Sequence, residues 1–329
     1  MNTTSSSAPL SRRKRFVFYL ITYTFIALLL FAVAEIISRL KGLQPYTVKT
    51  FNIVVEPGGR FYTAHPTLGY THLPGQFKVT LDNAFTFKTT NLDNTLRVTH
   101  PLNTYPPRDN KKEIWVFGDS ITYGWSVSDE EGYTWLLQQR FPEYEVSNFG
   151  VSGYGTLHSL VQLRAALESG KKPRLAILAY GSWQDVRNTF IRIRRKMLAP
   201  AAYLGPLNQP YARLTGDGKL DVFMDTIEYR EFPLMRRSAF IHMLEDTYNR
   251  YEERHVNSHE VTKAIIKEMS DLCRANGIEF VVVGLTSDAT TSDMLEYCQS
   301  NGTMTSNIWV DLNIKENNNL PYDSHPSAL

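Results

Sequence analysis

The longest apolar run of the chain lies near its N-terminus, where residues 16–34 include no charged side chain. As a helix, a run of this length crosses a hydrocarbon core of about 30 Å. The helical pattern continues through Ile36, Ile37 and Leu40, so we predict a transmembrane helix over residues 16–40. The alternative is a cleaved signal peptide that ends at Ala32-Val33-Ala34. The length of the run favours the uncleaved anchor.

A second pattern, the alternation of apolar and polar residues, lies within residues 43–110. The alternating apolar positions are Phe77, Val79, Leu81, Phe85 and Phe87, on either side of a turn signal at residues 82–84. This pattern predicts a β-hairpin within a small β-rich lead-in segment. The segment either packs on the main domain and shields a sheet edge or contributes to a cleft.

From residue 111 onward, short apolar runs alternate with stretches of helical period. The predicted strands are residues 114–117, 145–148, 175–180, 279–284 and 308–311, and predicted helices include residues 156–167 and 261–273. Such alternation predicts a parallel sheet between two layers of helices, a three-layer α/β/α fold. Ligands bind at the carboxyl ends of the strands in such sheets, and Ser120, Asn148 and Gly181 lie at such ends.

Residues 186–258 interrupt this alternation and are predicted to form an insertion in a domain that covers residues 111–329. A hairpin is expected around Asp217-Gly218 and a helix over residues 238–250. The insertion also holds the basic run from Ile191 to Lys196. A run of this kind is typical of a solvated face, and the alternative is a site for an anionic glycan or lipid headgroup.

Composition and charge limit the class of protein. A chain of 329 residues with 43% hydrophobic residues buries a sizeable core, which excludes a disordered protein. The net charge of +2 gives no global signal for a nucleic-acid partner. Arg12, Arg13, Lys14 and Arg15 precede the apolar run, so the positive-inside rule predicts that residues 1–15 are cytoplasmic. The remainder is then exported to the periplasm or its equivalent, where nucleic acid is not expected.

The two cysteines, Cys273 and Cys298, are too isolated from histidine to indicate a zinc site. An exported domain allows a disulfide between them, and buried free thiols are the alternative. We predict neither a metal nor another cofactor.

Candidate chemistry lies in two blocks at opposite ends of the predicted domain. The stretch Gly118-Asp119-Ser120-Ile121-Thr122-Tyr123-Gly124 directly follows the strand 114–117, and Asp323-Ser324-His325-Pro326 lies near the C-terminus. A serine hydroxyl needs an imidazole to accept its proton and a carboxylate to orient that imidazole. Ser120, His325 and Asp323 supply these groups. Asp119 is expected to be a structural residue of the turn, and His158 is expected to have a surface or packing role rather than to face the cleft.

Together these blocks resemble the SGNH, or GDSL, hydrolase family over residues 111–329. The resemblance implies a flavodoxin-like fold in which Ser120 attacks an ester carbonyl, His325 takes its proton and Asp323 orients His325. Many members place the aspartate three positions before the histidine, whereas Asp323 lies two positions before His325. We therefore expect either a changed angle of approach or a weaker contact between the two side chains.

Two further blocks of the family concern the oxyanion. Asn148-Phe149-Gly150-Val151-Ser152-Gly153 is similar to the second block, whose final glycine donates its amide, so Gly153 and the Ser120 amide are the implied donors. The third block usually reads Gly-x-Asn-Asp, but Trp183 stands at the asparagine position here. Asn188 is the favoured replacement, because an Arg-Asn pair recurs in membrane-anchored relatives, and Gln184 is the alternative.

The resemblance implies a membrane-anchored serine esterase that acts through an acyl-enzyme. Export and family together favour O-acyl, chiefly O-acetyl, esters of envelope or exported polysaccharide, and lipid esters come next. Hydrolase and acyltransferase both remain open, since water and a sugar hydroxyl attack the same intermediate. A non-catalytic alternative is a degenerate member that binds glycan among polysaccharide assembly partners.

Overall fold

The computed structural model describes residues 11–48, 52–103, 112–205 and 207–328. The chain forms two compact units. One comprises residues 1–49 and 230–250, and the other comprises residues 50–229 and 251–329.

The first unit begins with helix α1 (Arg12–Leu40). The Ser11 side chain accepts a hydrogen bond from the Lys14 amide and caps the helix, which explains why α1 begins before the apolar run. Its apolar side chains are exposed along most of its length. Within the described residues, α1 is the one helix long and apolar enough to cross a membrane, as the run of residues 16–34 predicts.

The lead-in segment is built from short antiparallel strands. They are β1 (Ile53–Glu56), β2 (Tyr62–His65), β3 (Gly69–His72), β4 (Gly75–Leu81) and β5 (Phe85–Asn91). Strand β4 pairs with β1 and β5, and β2 pairs with β3. The predicted β4–β5 hairpin is confirmed, and its turn is formed by Asp82 and Asn83 at positive φ, a conformation that Asn and Asp tolerate.

The domain then alternates strand and helix. Its first elements are β6 (Lys112–Phe117), α2 (Ser120–Tyr123), α3 (Tyr133–Arg140), β7 (Tyr144–Asn148), α4 (Thr156–Glu168), β8 (Leu175–Tyr180) and α5 (Gln184–Thr189). The insertion adds α6 (Arg192–Leu198), the hairpin β9 (Asn208–Leu214) and β10 (Leu220–Thr226), and α7 (Ala239–Val256). The final elements are α8 (Ser258–Ala275), β11 (Glu279–Gly284), α9 (Ala289–Ser300) and β12 (Met304–Asn307).

The five-stranded sheet has the order β12-β11-β8-β6-β7, and every adjacent pair is parallel. This order is that of flavodoxin-like folds, in which the direction of winding reverses between the first and third strands. These are β6 and β8 here, so a crevice is expected beyond their carboxyl ends. Ser120 follows β6 and Gly181 follows β8, which places both residues at this crevice.

The core of the domain lies between the sheet and the helices. It contains Trp115 and Phe117 of β6, Leu157, Leu160 and Leu163 of α4, and Ile265 and Met269 of α8, all of them buried. The apolar positions of α8 recur every three or four residues, as expected for a helix with one face on a sheet.

One strand prediction was wrong. The fifth strand is β12 (Met304–Asn307) rather than residues 308–311, and Ile308, Trp309 and Val310 are exposed. Strand β12 pairs with β11 alone and lies at the sheet edge. An edge strand buries few side chains, so it carries no apolar run that a sequence pattern can detect.

Candidate active site

Ser120 is the first residue of the short helix α2, directly beyond strand β6. Asp119 caps this helix, because its Oδ1 accepts a hydrogen bond from the Ile121 amide at 3.1 Å. Ser120 is nearly buried, with 8% of its surface exposed. The amide of a first helical residue has no partner within the helix, so the Ser120 N–H is available to an external acceptor.

His325 and Asp323 lie beside this serine. The His325 Nε2 is 2.8 Å from the Ser120 Oγ, and the Nδ1 is 2.6 Å from the Asp323 Oδ1. The same carboxylate oxygen accepts the His325 amide at 3.2 Å, a local turn that the two-residue spacing allows. The shorter spacing thus does not separate the two side chains, contrary to the expected weaker contact.

The ionisation of Asp323 suits an orienting acid. Burial acts to raise the pKa of its carboxyl, but hydrogen bonds from His325 outweigh burial and hold that pKa below its usual value. Asp323 is therefore a carboxylate at neutral pH and can accept a hydrogen bond from the Nδ1–H of His325.

The loop that bears His325 is hydrogen-bonded to the segment after α2. The Asn319 side-chain amide donates to the backbone carbonyls of Ser126 and Pro326, each at 3.1 Å. The Ser327 amide donates to the Asn317 carbonyl at 3.0 Å. These bonds hold the loop of residues 317–327 in place and so keep the His325 imidazole beside Ser120.

Asn148, the first residue of the second block, joins that block to α2. Its Nδ2 donates to the Thr122 carbonyl and to the Thr134 Oγ1, both at 2.9 Å, and its Oδ1 accepts from the Gly150 amide at 2.9 Å. Gly150 packs so closely on α2 that a Cβ there would lie 2.4 Å from the Tyr123 nitrogen. Only glycine permits this approach.

Three successive carbonyls of the following loop are bound by side chains from elsewhere in the chain. Tyr70 Oη donates to the Ser152 carbonyl at 2.8 Å, Arg194 Nη2 to the Gly153 carbonyl at 2.6 Å, and Arg187 Nη1 to the Tyr154 carbonyl at 2.8 Å. We call Tyr70, Arg187 and Arg194 the carbonyl clamp. Tyr70 comes from β3, Arg187 from α5 and Arg194 from α6.

The clamp fixes which way the amides of the loop point. In a trans peptide the carbonyl and the next N–H point in opposite directions, so the bond from Tyr70 directs the Gly153 N–H away from Tyr70. The Tyr154 amide donates to the Val151 carbonyl at 3.0 Å and the Gly155 amide to His158 Nδ1 at 3.2 Å. Of these three amides, Gly153 alone has no acceptor within the described residues.

Gly153 is also fixed by its conformation. Its φ is +82°, in the left-handed region, and a Cβ there would lie 2.5 Å from the Tyr70 hydroxyl. Any other residue would both strain the backbone and displace Tyr70.

The third block has a different role from the one implied by the resemblance. Trp183 occupies the asparagine position, and its Nε1 donates to the Asp119 Oδ2 at 2.6 Å. Arg187 Nη1 donates to the same oxygen at 2.8 Å. This block therefore holds Asp119, which caps α2. Asp119 is thus a structural residue of the turn, as expected from the sequence.

Asn188 and Gln184, the two candidates for a third oxyanion donor, are not brought to Ser120. The Asn188 carboxamide, 0% exposed, accepts from the Leu157 amide at 2.9 Å and donates to Thr262 Oγ1 at 2.8 Å. Gln184 donates to the Ala179 carbonyl at 3.0 Å and accepts from Thr156 Oγ1 at 2.9 Å. Asn188 thus joins α5 to α4 and α8, and Gln184 joins α5 to β8 and α4, because buried carboxamides need hydrogen-bond partners.

Arg97 binds the C-terminal end of α2 and the turn that follows it, and it was not assigned a role from the sequence. Its guanidinium donates to the carbonyls of Tyr123 at 2.8 Å, Gly124, and Val127 at 2.7 Å, and pairs with Asp129 at 3.0 Å. The side chain is buried. The lead-in segment thus supplies an interior cation that fixes the turn after α2.

The remaining sequence candidates are structural. His158 is buried, as expected of a packing residue; burial lowers its pKa to about 3, which keeps the ring neutral. In the basic run, Arg195 pairs with Asp225 at 2.6 Å and Arg194 is buried in the clamp, so neither forms the expected solvated face. Cys273 and Cys298 are free buried thiols, and burial raises the pKa of each to about 12.

A cavity of about 180 Å³ opens beside His325. Its walls are formed by Asn52, Ile53, Leu81, Asp82, Trp125, Tyr322, Asp323 and His325. Half of these residues belong to the lead-in segment, which therefore contributes to the cleft. The cavity combines the rings of Trp125 and Tyr322 and the His325 imidazole with one carboxamide and two carboxylates.

One group of potential metal ligands lies in the unit formed by residues 1–49 and 230–250. Ligand atoms of His242, Glu245 and Asp246 lie within 4.8 Å of one another. His242 Nδ1 is already 2.9 Å from the Gln44 carbonyl, so this nitrogen has a protein partner. The geometry around Ser120 involves no such group among the described residues.

Comparison with known proteins gives one family. The sequence profile of the GDSL-like lipase/acylhydrolase family matches residues 116–328. No curated protein matches the chain.

Solved structures similar to this chain include a lipolytic protein of the G-D-S-L family from Desulfitobacterium hafniense DCB-2, with 14% identity and a TM-score of 0.37 over 67% of this chain and 92% of that one. TesA has 14% identity and a TM-score of 0.36 over 66% and 90%. An acetyl xylan esterase from the rumen bacterium Butyrivibrio proteoclasticus has 14% identity and a TM-score of 0.34 over 68% and 61%.

Proposed function

The chain belongs to the GDSL-like lipase/acylhydrolase family and is a serine ester hydrolase, and from this premise we propose that it is membrane-anchored and removes short O-acyl groups, chiefly O-acetyl, from polysaccharide outside the cytoplasm. The observation that carries the catalytic part is the 2.8 Å contact between Ser120 Oγ and His325 Nε2. Asp323 completes the chain of hydrogen bonds.

Acylation uses each of these groups once. Ser120 Oγ attacks the ester carbonyl carbon while its proton passes to His325 Nε2, and Asp323 stabilises the resulting imidazolium. The tetrahedral intermediate then expels the alcohol oxygen, which takes the proton back from His325. Water repeats the sequence on the acyl-enzyme and releases the carboxylic acid and free Ser120.

The oxyanion is stabilised by the amides of Ser120 and Gly153. Each donor of this kind contributes roughly 3 kcal/mol to lowering the barrier. Tyr70 acts through Gly153: its bond to the Ser152 carbonyl keeps the Gly153 N–H directed away from β3. Tyr70 is therefore a positioning residue, and the lead-in segment is part of the catalytic machinery.

The cavity beside His325 suits the alcohol side of the ester, because His325 returns its proton to the leaving alcohol. Trp125 and Tyr322 offer aromatic faces to the apolar side of a sugar ring, and Asn52 and Asp82 offer hydrogen bonds to its hydroxyls. The volume of about 180 Å³ is below the roughly 300 Å³ at which pockets for larger ligands begin. For the alcohol side, a single sugar unit suits this size better than a long hydrocarbon chain.

A lipid ester is the second candidate substrate. Ile53 and Leu81 form an apolar wall of the same cavity, and this wall favours a hydrocarbon group. The two substrates differ in the length of the apolar group that the site accepts, which an assay of chain length resolves.

Anchoring is supported by helix α1, which is long and apolar enough to cross a bilayer. Arg12, Arg13, Lys14 and Arg15 at its start favour a cytoplasmic N-terminus, and the domain then lies on the far side. Assembly proteins for exported polysaccharide are the partners that this location favours.

The test uses the full chain in nanodiscs with acetylated polysaccharide and with p-nitrophenyl esters of increasing chain length. We expect release of acetate, a preference for the acetyl ester, and no turnover by Ser120→Ala. Added sugar acceptors separate hydrolysis from transfer, since a transferase forms acylated acceptor at the expense of free acetate. Preference for long chains would replace the polysaccharide proposal with the lipid one, and equal turnover by Ser120→Ala would refute both.

A further inference from the structure

Apolar side chains form a stripe along the outward face of the first turns of α7. Leu244 is 41% exposed and Tyr248 is 46% exposed, while Phe240 is partly exposed at the start of the same row. Residues spaced by four lie above one another on a helix, so these three share a face. Leu234, exposed in the turn before the helix, extends the set. We call Leu234, Phe240, Leu244 and Tyr248 the α7 stripe.

Two of the three buried residues of α7 are polar, and the third is Ala239. Glu245 is 0% exposed and Asn249 is also buried. A helix at the surface of a water-soluble domain shows the reverse arrangement, with apolar residues inside and charged residues outside. The inversion indicates that the outward face of α7 meets something other than water.

The start of α7 is bound to the end of helix α1. Glu35 accepts hydrogen bonds from the Ser238 hydroxyl at 2.7 Å and from the amides of Ala239 at 3.1 Å and Phe240 at 3.0 Å. This carboxylate therefore caps α7 from another helix. Arg39 adds a bond to the Arg237 carbonyl at 3.1 Å.

An aromatic contact sets the depth of this junction. The Phe31 ring packs edge-to-face on the Phe240 ring with centroids 6.0 Å apart. Phe31 lies three residues before the end of the uncharged run at residue 34, about 5 Å along a helix axis. If α1 crosses a bilayer, Phe240 lies at the edge of the hydrocarbon.

We propose that the α7 stripe inserts into the interface of the bilayer that α1 crosses, and this inference rests on the proposed anchor. An amphipathic helix in this position buries its apolar face about 5–10 Å into the boundary between headgroups and acyl chains. Tyr248 is of the type enriched at that boundary. Arg237 and Lys41 are exposed nearby in the chain, and their charge suits anionic headgroups.

The test places a nitroxide label at single introduced cysteines in the full chain, reconstituted in nanodiscs of phosphatidylethanolamine and phosphatidylglycerol. The accessibility of each label to oxygen, which concentrates in lipid, is compared with its accessibility to a water-soluble nickel chelate. The stripe is labelled through Leu244→Cys and Tyr248→Cys. Phe25→Cys in the middle of the apolar run reports the anchor, and Asp217→Cys in the exposed β9–β10 turn reports water.

We expect oxygen to dominate at Phe25, the nickel chelate to dominate at Asp217, and both stripe labels to shift from the Asp217 value toward the Phe25 value. Stripe labels as open to nickel as Asp217, with Phe25 still in lipid, would overturn the inference and leave the anchor intact. A Phe25 label open to nickel would overturn the anchor and the inference together. Stripe labels that broaden each other's spectra through a second copy would identify a protein contact instead and also overturn it.

Discussion

The two sides of Ser120 are held in different ways. On the imidazole side, Asp323 and His325 lie two residues apart and make their 2.6 Å contact within a single turn. On the side that we propose to bind the oxyanion, the loop that carries Gly153 is held by Tyr70, Arg187 and Arg194, which come from three separate elements.

The two sides differ in what the sequence must specify: reactive groups on one side and the orientation of an amide on the other. A proton acceptor and its carboxylate need only be adjacent, so a short motif encodes both. An amide that stabilises an oxyanion must point in one direction, and that direction is fixed by whatever binds the carbonyl of the same peptide. In this protein the lead-in segment and the insertion supply those groups.

The largest effect is expected on the imidazole side. His325→Ala removes the only base in contact with Ser120 among the described residues, so kcat should fall by about 10⁴-fold or more. Steady-state kinetics with p-nitrophenyl acetate measures it. The matched control is His255→Ala, which replaces an exposed histidine of α7 and should retain wild-type kcat. A loss of less than about tenfold for His325→Ala would mean that another base serves Ser120.

A smaller but diagnostic effect is expected on the oxyanion side. Tyr70→Phe removes the bond to the Ser152 carbonyl while it keeps the ring, so the Gly153 amide is less strictly directed. We expect kcat to fall about 10- to 100-fold, less than the loss of a whole donor, with little change in KM.

The control for Tyr70→Phe is Tyr144→Phe, because the Tyr144 hydroxyl makes no hydrogen bond within the described residues. Thermal unfolding of both variants shows whether the fold is intact. An unchanged kcat for Tyr70→Phe, or an increase in KM alone, would show that the clamp does not position the oxyanion donor.

Asn188→Ala tests whether Asn188 has only a structural role or also donates to the oxyanion. The side chain bonds the Leu157 amide and Thr262, so its loss leaves buried groups without partners and should lower the free energy of unfolding by about 1–3 kcal/mol. The kcat per folded molecule should stay close to the wild-type value. A drop of about 10²-fold or more in kcat with unchanged stability would instead make Asn188 the third donor.

The smallest effect concerns His259, which lies between Asp185 at 2.8 Å and Asp293 at 2.9 Å. Its hydrogen bond with Asp185, aided by Asp293, raises its pKa above the usual value despite burial. The stabilisation is therefore complete below the unfolded pKa of about 6.5 and is lost as pH rises through the higher folded pKa.

His259→Gln should therefore lower the free energy of unfolding by about 1 kcal/mol or less at pH 6, and the difference from wild type should shrink at alkaline pH. Urea unfolding across this pH range measures the difference. A difference that grows with pH would contradict the assigned direction, and neither case should alter the contacts around Ser120.

Sequence patterns predicted the elements whose side chains repeat and the motifs whose residues are adjacent. The strands that end before Ser120 and Gly181 were predicted because they are buried runs bounded by polar turns. The family was predicted from the same blocks and is confirmed by the profile match. These features are local, so periodicity and spacing contain them.

Features that depend on distant contacts could not be predicted in this way. Tyr70 lies 82 residues from Ser152, and nothing in the hairpin pattern of β2 and β3 distinguishes its hydroxyl. From the Arg187-Asn188 pair, the sequence favoured Asn188 as an oxyanion donor. In the structure Arg187 binds the loop of residues 152–154, whereas Asn188 points toward α8 and binds Thr262. The edge strand β12 carried no apolar run, so its position was also wrong.

The central claim is that Ser120 is the nucleophile that His325 activates. The most direct measurement is the mass of the full chain after reaction with a fluorophosphonate, with the modified peptide located by fragmentation. We predict one adduct, on Ser120, formed rapidly by the wild type, slowly by His325→Ala and not at all by Ser120→Ala. An adduct on another residue, or equal labelling of Ser120→Ala, would contradict this assignment.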